Sequence, residues 1–380
     1  MKNATSLMLG GMFWGAVVGL IGLGSVFPTR ARAQATGKNA VYDSTGACSP
    51  CAKSPAFIDA SVFGNTRTDI CTVLKFILTP LNGVLPSTGG VIDARGLPAT
   101  GTSMTCTSTT PSPWAGITNP PPSTILLPAT TATVPISIPS TWSLPPNTHL
   151  IGEGDSIASS TTISTTIQAQ SPSFSGSMIQ FGSPSCIPPL GGPSTCAGIS
   201  VENLTLDGQG QAINGIVNPY STDQSYVDHV SLYQILGTGL SVSGSATNSG
   251  PYSNITFDTG GSGLTATACA QILGLSGTHG IHGLSCTSQT NDSTSAVLLD
   301  SSNNSIEDVT IAGFYNGIVV GSQAPAHGNV LVNISDNTKA CNPVCPPSPV
   351  NMVHIEAYTT NGEPNVTDLS IMGASNDTGT

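Results

Sequence analysis

Charge is what this chain has least of. Only 8% of its 380 residues are Asp, Glu, Lys or Arg, against about a quarter in an ordinary soluble domain. Nine Lys and Arg face twenty Asp and Glu, for a formal charge of −11, and the basic groups are scattered singly. A nucleic-acid partner needs a basic patch to neutralise its phosphates, so that class is excluded. From Gly96 to Thr380 there is no arginine, and Lys339 is the only lysine. Aromatic residues are few as well, at 5%. Helical periodicity is nearly missing, which excludes a helical bundle and a coiled coil. Hydroxyls stand in for charge: Ser and Thr number 94, about a quarter of the chain, beside 43 Gly and 29 Pro. With 38% hydrophobic residues and a mean hydropathy of +0.15, the chain can still build a core and is not disordered.

Lys2 precedes an uncharged, Gly-rich apolar run from Leu7 to Phe27. Ala31-Arg32-Ala33 and Ala33-Gln34-Ala35 follow, both of the small-x-small form that signal peptidase reads. Residues 1–35 therefore read as a signal peptide, although the run is also long enough for an uncleaved anchor. Either way the body is exported to a secreted, periplasmic or cell-surface location. Residues 36–57 are a linker, and no membrane association is expected once the leader is cut. Ten cysteines suit an oxidising compartment. Neighbour pairing would join Cys186 to Cys196, Cys269 to Cys286 and Cys341 to Cys345, while spacing leaves the connectivity open. Cys48-Ser-Pro-Cys51 has no second CxxC and no His cluster to complete a zinc site. It reads as a structural disulfide or as halves of two. No metal and no cofactor are expected.

Six segments share the form apolar–x–x–apolar–Ser/Thr–apolar. They are Val201-Glu-Asn-Leu-Thr-Leu206, Val227-Asp-His-Val-Ser-Leu232, Tyr252-Ser-Asn-Ile-Thr-Phe257, Ile281-His-Gly-Leu-Ser-Cys286, Ile306-Glu-Asp-Val-Thr-Ile311 and Val366-Thr-Asp-Leu-Ser-Ile371. Their starts lie 26, 25, 29, 25 and 60 residues apart. The last gap spans two periods, with Asn329-Val-Leu-Val-Asn-Ile334 as a degenerate copy between. Apolar–hydroxyl–apolar is period two, hence a strand with one face in and one out. Each repeat is too short to bury its apolar face alone, so repeats must stack. Most are followed by a second short strand, as at Gly215-Ile-Val-Asn218 and Gly317-Ile-Val-Val320. Nothing between them has a helical period, which disfavours a βαβ fold. The third position holds Asn203, His229, Asn254, Gly283, Asp308 and Asp368, all types that tolerate left-handed backbone angles at a tight corner. The architecture expected is all-β: a single-stranded parallel β-helix over residues 58–380. Its cap region covers about 58–195 and its regular coils about 196–380.

Upstream, Thr68-Asp69 can cap a helix whose Ile70, Val73, Leu74 and Ile77 fall at i, i+3, i+4 and i+7, with Pro80 ending it. Such an N-terminal helix would cover the first coil, which is otherwise a sticky edge. A Pro/Ser/Thr-rich excursion, Thr107–Pro122, interrupts the cap region. At the other end, Ile371-Met372 finishes a strand with no helix after it, so the last coil is expected to be open, either because the chain is a fragment or because it pairs with another chain. The oligomeric state is left open.

The helix, followed in order by GGVIDARG, ILLP, WSLPPNTHLIGEG and VENLTLDG, resembles the start of pectate-lyase-superfamily right-handed β-helix proteins. It is similar to the epimerase-like pectate lyase domain shared by rhamnogalacturonases and related exported carbohydrate enzymes. The resemblance covers roughly residues 58–380 and implies the β-helix fold and a polysaccharide or glycan partner. The fold hosts many activities, so chemistry has to be read from residues. The polygalacturonase-like motifs Asn-Thr-Asp, Asp-Asp, Gly-His-Gly and Arg-Ile-Lys do not carry over, and Thr278-His-Gly-Ile-His-Gly283 is only an echo. Pectate lyases are similar to one another in using an Arg or Lys base, and Lys339 is the one such residue in these coils, so lyase action on pectate is strongly disfavoured.

Glycoside hydrolysis needs only two carboxylates at a set spacing. The residue after each main strand reads Asp207, Tyr233, Asp258, Thr287 and Ala312. Coils stack at about 4.8 Å, which puts Asp207 and Asp258 about 9.6 Å apart, near the upper limit for an inverting pair. Tyr233 lies between them as a sugar platform, and Tyr226 is a second candidate for substrate binding. Asp228, beside His229, is a third candidate acid. Against these roles stand structural ones: Asp207-Gly208 and Asp258-Thr-Gly-Gly261 are turn formers, and His229 falls in the corner column. His279 and His282 lack a partner at ligand spacing. The hydroxyl column Thr205, Ser231, Thr256, Ser285, Thr310 and Ser370 lacks the base a nucleophile needs. Two functions follow: a polysaccharide hydrolase using paired carboxylates, or a non-catalytic extracellular module for glycan binding or adhesion. A phage-tailspike-like trimer is disfavoured by the export leader.

Overall fold

Because alternate side chains of a strand point to opposite sides, each repeat collects its apolar residues on one side, and stacking buries that side. The computed structural model describes residues 57–377 apart from 131–133, 157–163, 171, 173, 188–193, 262, 338–350 and 356–365. Twenty of its strands form one sheet, and the pairings along it are parallel. The chain is thus a parallel β-helix. The leader, the linker apart from Phe57, which opens the first strand, Lys339 and the cysteines at 48, 51, 341 and 345 fall outside the described residues.

Three faces make each coil. On the first, Val201, Val227, Tyr252, Ile281, Ile306, Leu331 and Ile371 are register partners. The same column runs upstream through Leu150, Ile125, Ile92 and Ile58. From Ile58 to Leu331 none of its members is more than 4% exposed, and each such aliphatic side chain contributes roughly 1.5–3 kcal/mol. The second face carries Leu204, Val230, Ile255, Leu284, Val309 and Ile334 inward. Opposite them, the third face supplies Trp142, Ile179, Ile216, Leu240, Ala270, Val297 and Ile318.

The first and second faces meet at the third residue of each repeat. There Asn203, His229, Asn254, Gly283, Asp308, Asn333 and Gly373 all have φ between 51° and 70°. Left-handed angles cost most residues about 1–2 kcal/mol and suit Gly, Asn and Asp, which is why these types recur.

Two repeats lie elsewhere than the sequence pattern places them. The rung after Ile306 begins at Leu331, not Asn329, and the last begins at Ile371, not Val366. Val366 pairs instead with Ala326, and Asp368, though left-handed at φ 55°, turns the chain before the rung. Ser370 consequently pairs with Val330, and Ser375 takes its expected place beside Ser335. The first shift is of two residues, which strand alternation survives, so only the corner fixes the register there; the second is of five, and puts Ile371 first in its rung where the pattern has it sixth. Asn329 is fully buried and accepts from the Asn304 backbone N–H at 2.9 Å.

The helix forms over Ile70–Leu78, with the Asp69 carboxylate accepting from Thr72 N at 2.9 Å. Its Ile70, Val73, Leu74 and Ile77 join the apolar interior of the first coil. Cys71 bonds Cys106 and so ties the helix to the coil that follows. Cys186–Cys196 and Cys269–Cys286 are the neighbour pairs expected.

Candidate functional site

The strands Ser200–Gln211, Tyr226–Ile235 and Tyr252–Asp258 put Asp207, Tyr233 and Asp258 in register on three successive coils. Thr287 and Ala312 continue that column, and Gln168 precedes it. The strand pitch of about 4.8 Å separates the two aspartates by about 9.6 Å, with Tyr233 between. Burial raises the Tyr233 hydroxyl above its usual pKa, and the charges of Asp258 and Asp207 raise it further.

Each aspartate also closes its own turn. Asp207 Oδ1 accepts from Gln209 N at 2.9 Å, and Asp258 Oδ1 accepts from Gly260 N at 2.7 Å. These are Asx turns, in which the side chain stands in for a backbone carbonyl. Asp207 Oδ2 accepts further bonds from Gln168 Nε2 at 3.0 Å and Gln209 Nε2 at 2.5 Å, and the residue is 8% exposed. Gly260, at φ +73°, lies so close that a Cβ there would be 2.6 Å from Tyr233 Cε2. The tyrosine ring is therefore packed against backbone on one side.

Asp228 and Tyr226 are not brought to this strip. They precede the corner at His229 and belong to the first face. Asp228 pairs with His229 Nδ1 at 2.9 Å and accepts from Asn254 Nδ2 at 2.9 Å. Tyr226 donates to Glu202 Oε1 at 2.8 Å, as does Ser200 at 2.6 Å, and His149 Nδ1 lies 2.8 Å from Ser200 Oγ. Because the one Ser200 proton goes to Glu202, His149 Nδ1 must carry a proton, which leaves Nε2 as the lone-pair nitrogen of the neutral ring. Burial first, and the bond to Glu202 next, raise the Tyr226 hydroxyl. His149, Ser200 and Glu202 escaped the sequence reading. Aligning Leu150 with Val201 would have found them, since His149, Ser200 and Tyr226 share one register position.

The hydroxyl column is partly covered. Thr205 Oγ1 donates to Ser156 O at 3.1 Å, and Ser231 Oγ donates to Asp155 O. Past that crossing, Thr256, Ser285 and Thr310 floor a groove of about 340 Å³, flanked by His229 and Asp308. Among the described residues, Asp69, Cys71 and Cys106 bring ligand-type atoms together, but the two sulfurs are bonded to each other and Asp69 caps the helix. That cluster is not a metal site.

No family model matches the sequence, and no curated protein does. Among solved structures, ORF18 of Geobacillus virus E2 is similar over 84% of this chain at 10% identity and a TM-score of 0.30, and the match spans 60% of the viral protein. The A-module of mannuronan C-5 epimerase AlgE4 from Azotobacter vinelandii is similar over 84% of this chain and 96% of its own, at 13% identity and a TM-score of 0.29. The AlgE6 A-module from the same organism gives 84% and 99%, at 12% identity and a TM-score of 0.27. Likenesses at this level assign no activity.

Proposed function

We propose that this chain is an exported β-helix that engages a polysaccharide along its second face, with Tyr233 between Asp207 and Asp258 as the contact strip. The observation that carries this is the register of those three residues. Carboxylates accept strong hydrogen bonds from sugar hydroxyls, and a tyrosine ring offers an apolar face with a polar tip. A charge of −11 disfavours polyuronates, so the substrate class is a neutral or weakly charged glycan. Export is supported by the leader and by three disulfides, which persist in oxidising compartments. Among the described residues no helix is long and apolar enough to cross a membrane.

A second reading, hydrolysis with inversion, is favoured by the aspartate spacing of about 9.6 Å, close to the 6.5–9.5 Å such enzymes use. One carboxyl group would protonate the leaving oxygen while the other activates water. The full-length protein on a glycan array, followed by a reducing-sugar assay on each ligand retained, tests both. Retention on a neutral glycan that falls at least tenfold in Tyr233→Ala is expected. Sugar release that disappears in Asp207→Asn or Asp258→Asn assigns hydrolysis, and undiminished release in both removes the pair. No retention on any polysaccharide rejects the strip.

A further inference from the structure

The excursion Thr107–Pro122 has no part in that strip, yet it builds a second feature. It leaves the coil just after Cys106 and folds back on the third face. Trp114 meets Trp142 edge-on, with centroids 5.9 Å apart and planes at 79°, and Trp142 Nε1 donates to Pro111 O at 3.2 Å. Between the excursion and the turns after Trp142–Leu144 and Ser177–Phe181 lies a cavity of about 690 Å³. Trp114, Pro120, Leu144 and Pro145 give it apolar surface, while Asn119 and Ser143 give it amide and hydroxyl groups. None of its described lining residues is charged. Both walls are pinned covalently, one by Cys71–Cys106 at the root of the excursion and the other by Cys186–Cys196.

We propose that this cavity is a binding site for an uncharged sugar unit, separate from the Asp207–Tyr233–Asp258 strip. Its volume lies in the range of about 300–1,000 Å³ typical of small-ligand sites. A charged ligand entering it would lose hydration and find no counter-charge. A sugar ring has C–H faces for the indole and prolines, and hydroxyl edges for the serine and asparagine. The Trp114 indole N–H is buried and has no acceptor among the described residues, so a ligand oxygen reached by a small ring shift would be its first partner. Pinned walls keep the ordering cost of binding low.

The chain has three tryptophans, Trp14, Trp114 and Trp142, so in full-length Trp14→Phe protein the tryptophan emission comes from Trp114, which lines the cavity, and from Trp142, packed edge-on against it. The titrants are cellohexaose, maltohexaose, xylohexaose and mannohexaose, with hexagalacturonate as the charged comparison. We expect a saturable emission change with at least one neutral oligosaccharide and none with hexagalacturonate. Ser143→Phe, which fills the cavity, should weaken that binding at least tenfold. Asn119→Gly, which removes the amide at an exposed position and keeps its left-handed φ of 49° without strain, should weaken it at least threefold and serves if Ser143→Phe fails to fold. Tyr233 is not among the residues lining this cavity, so sugar held only at the strip leaves the Trp114 emission unchanged, which separates this site from the strip. The proposal is overturned if no neutral titrant changes the emission, if hexagalacturonate binds as tightly, or if the folded cavity variants bind like the parent.

Discussion

Asn333 donates its side-chain amide to Asp308 Oδ1 at 2.7 Å, and the two residues hold the left-handed corners of consecutive coils, at φ 53° and 56°. Asn333 thus does two things, supplying a backbone angle and a link between coils. Asn333→Gly should lose only the link, at a cost of about 1 kcal/mol. Asn333→Val should also force a β-branched residue into the left-handed region, for a total of roughly 2–3 kcal/mol. Guanidinium unfolding of the two variants measures the difference, and equal losses would show that the corner angle is not the constraint.

The strip depends on a glycine. Gly260→Ala meets a left-handed φ of +73° and places its Cβ 2.5 Å from Gln234 Cγ and 2.6 Å from Tyr233 Cε2. Tyr233 must move, and glycan retention should fall about tenfold, with a stability loss of roughly 1–3 kcal/mol. Retention at the parental level after this substitution would mean that the ring is not part of the contact.

Tyr233 ionisation reads the electrostatics of the strip directly. Burial raises its pKa first, then Asp258 and Asp207. Removing a negative neighbour makes the phenolate easier to form, so Asp258→Asn should lower the midpoint toward the ordinary tyrosine value. Ultraviolet difference titration against a Tyr233→Phe blank resolves this one residue. A midpoint that stays or rises would place Asp258 away from the ring.

Tyr252 should make the fold alkali-sensitive. It is fully buried, and burial pushes its hydroxyl from 10.0 to about 12, although bonds with Ser249 and Asn218 lower it somewhat. A folded-state pKa above the unfolded one stabilises the protein fully below the unfolded value. That contribution is lost as pH rises from about 10 to about 12. Thermal midpoints should therefore drop over this window in the parent and less steeply in Tyr252→Phe, which leaves Ser249 and Asn218 short of a partner at all pH values. Parallel pH curves would rule the residue out as the cause.

The bond between Cys71 and Cys106 closes a loop with a sequence separation of 35. Replacing both with Ser should cost about 2–4 kcal/mol and loosen the helix from the first coil. Hydrogen exchange in Ile70–Leu78 is the local readout. Unchanged protection there would mean that burial alone holds the helix.

Much of this was legible before any coordinates. Apolar–hydroxyl–apolar spacing marked the strands, and Asn203, His229, Asn254, Gly283 and Asp308 marked the corners, because only a few residue types accept a left-handed angle. The column Asp207, Tyr233, Asp258 followed from counting. One slip came where two alignments satisfied the same alternation, since Asn329 and Leu331 are two residues apart; the other came from a local match, since Val366-Thr-Asp-Leu-Ser-Ile371 fits the pattern, yet Val366 pairs with Ala326 and Ile371 begins the rung. The separation of Asp228 and Tyr226 from the strip was also missed, because His229 turns the chain between positions that are neighbours in sequence.

The sequence by itself determined that short strands must stack, since no single repeat can bury its apolar side, and it determined where each coil must bend, since backbone angle is a local property. Only the tertiary structure decided which rung met which across the long excursions, that His149, Ser200, Glu202 and Tyr226 form one hydrogen-bonded group, and that Thr107–Pro122 closes over an uncharged cavity. Those outcomes depend on contacts between residues tens of positions apart, which are set by how coils of unequal length come into register.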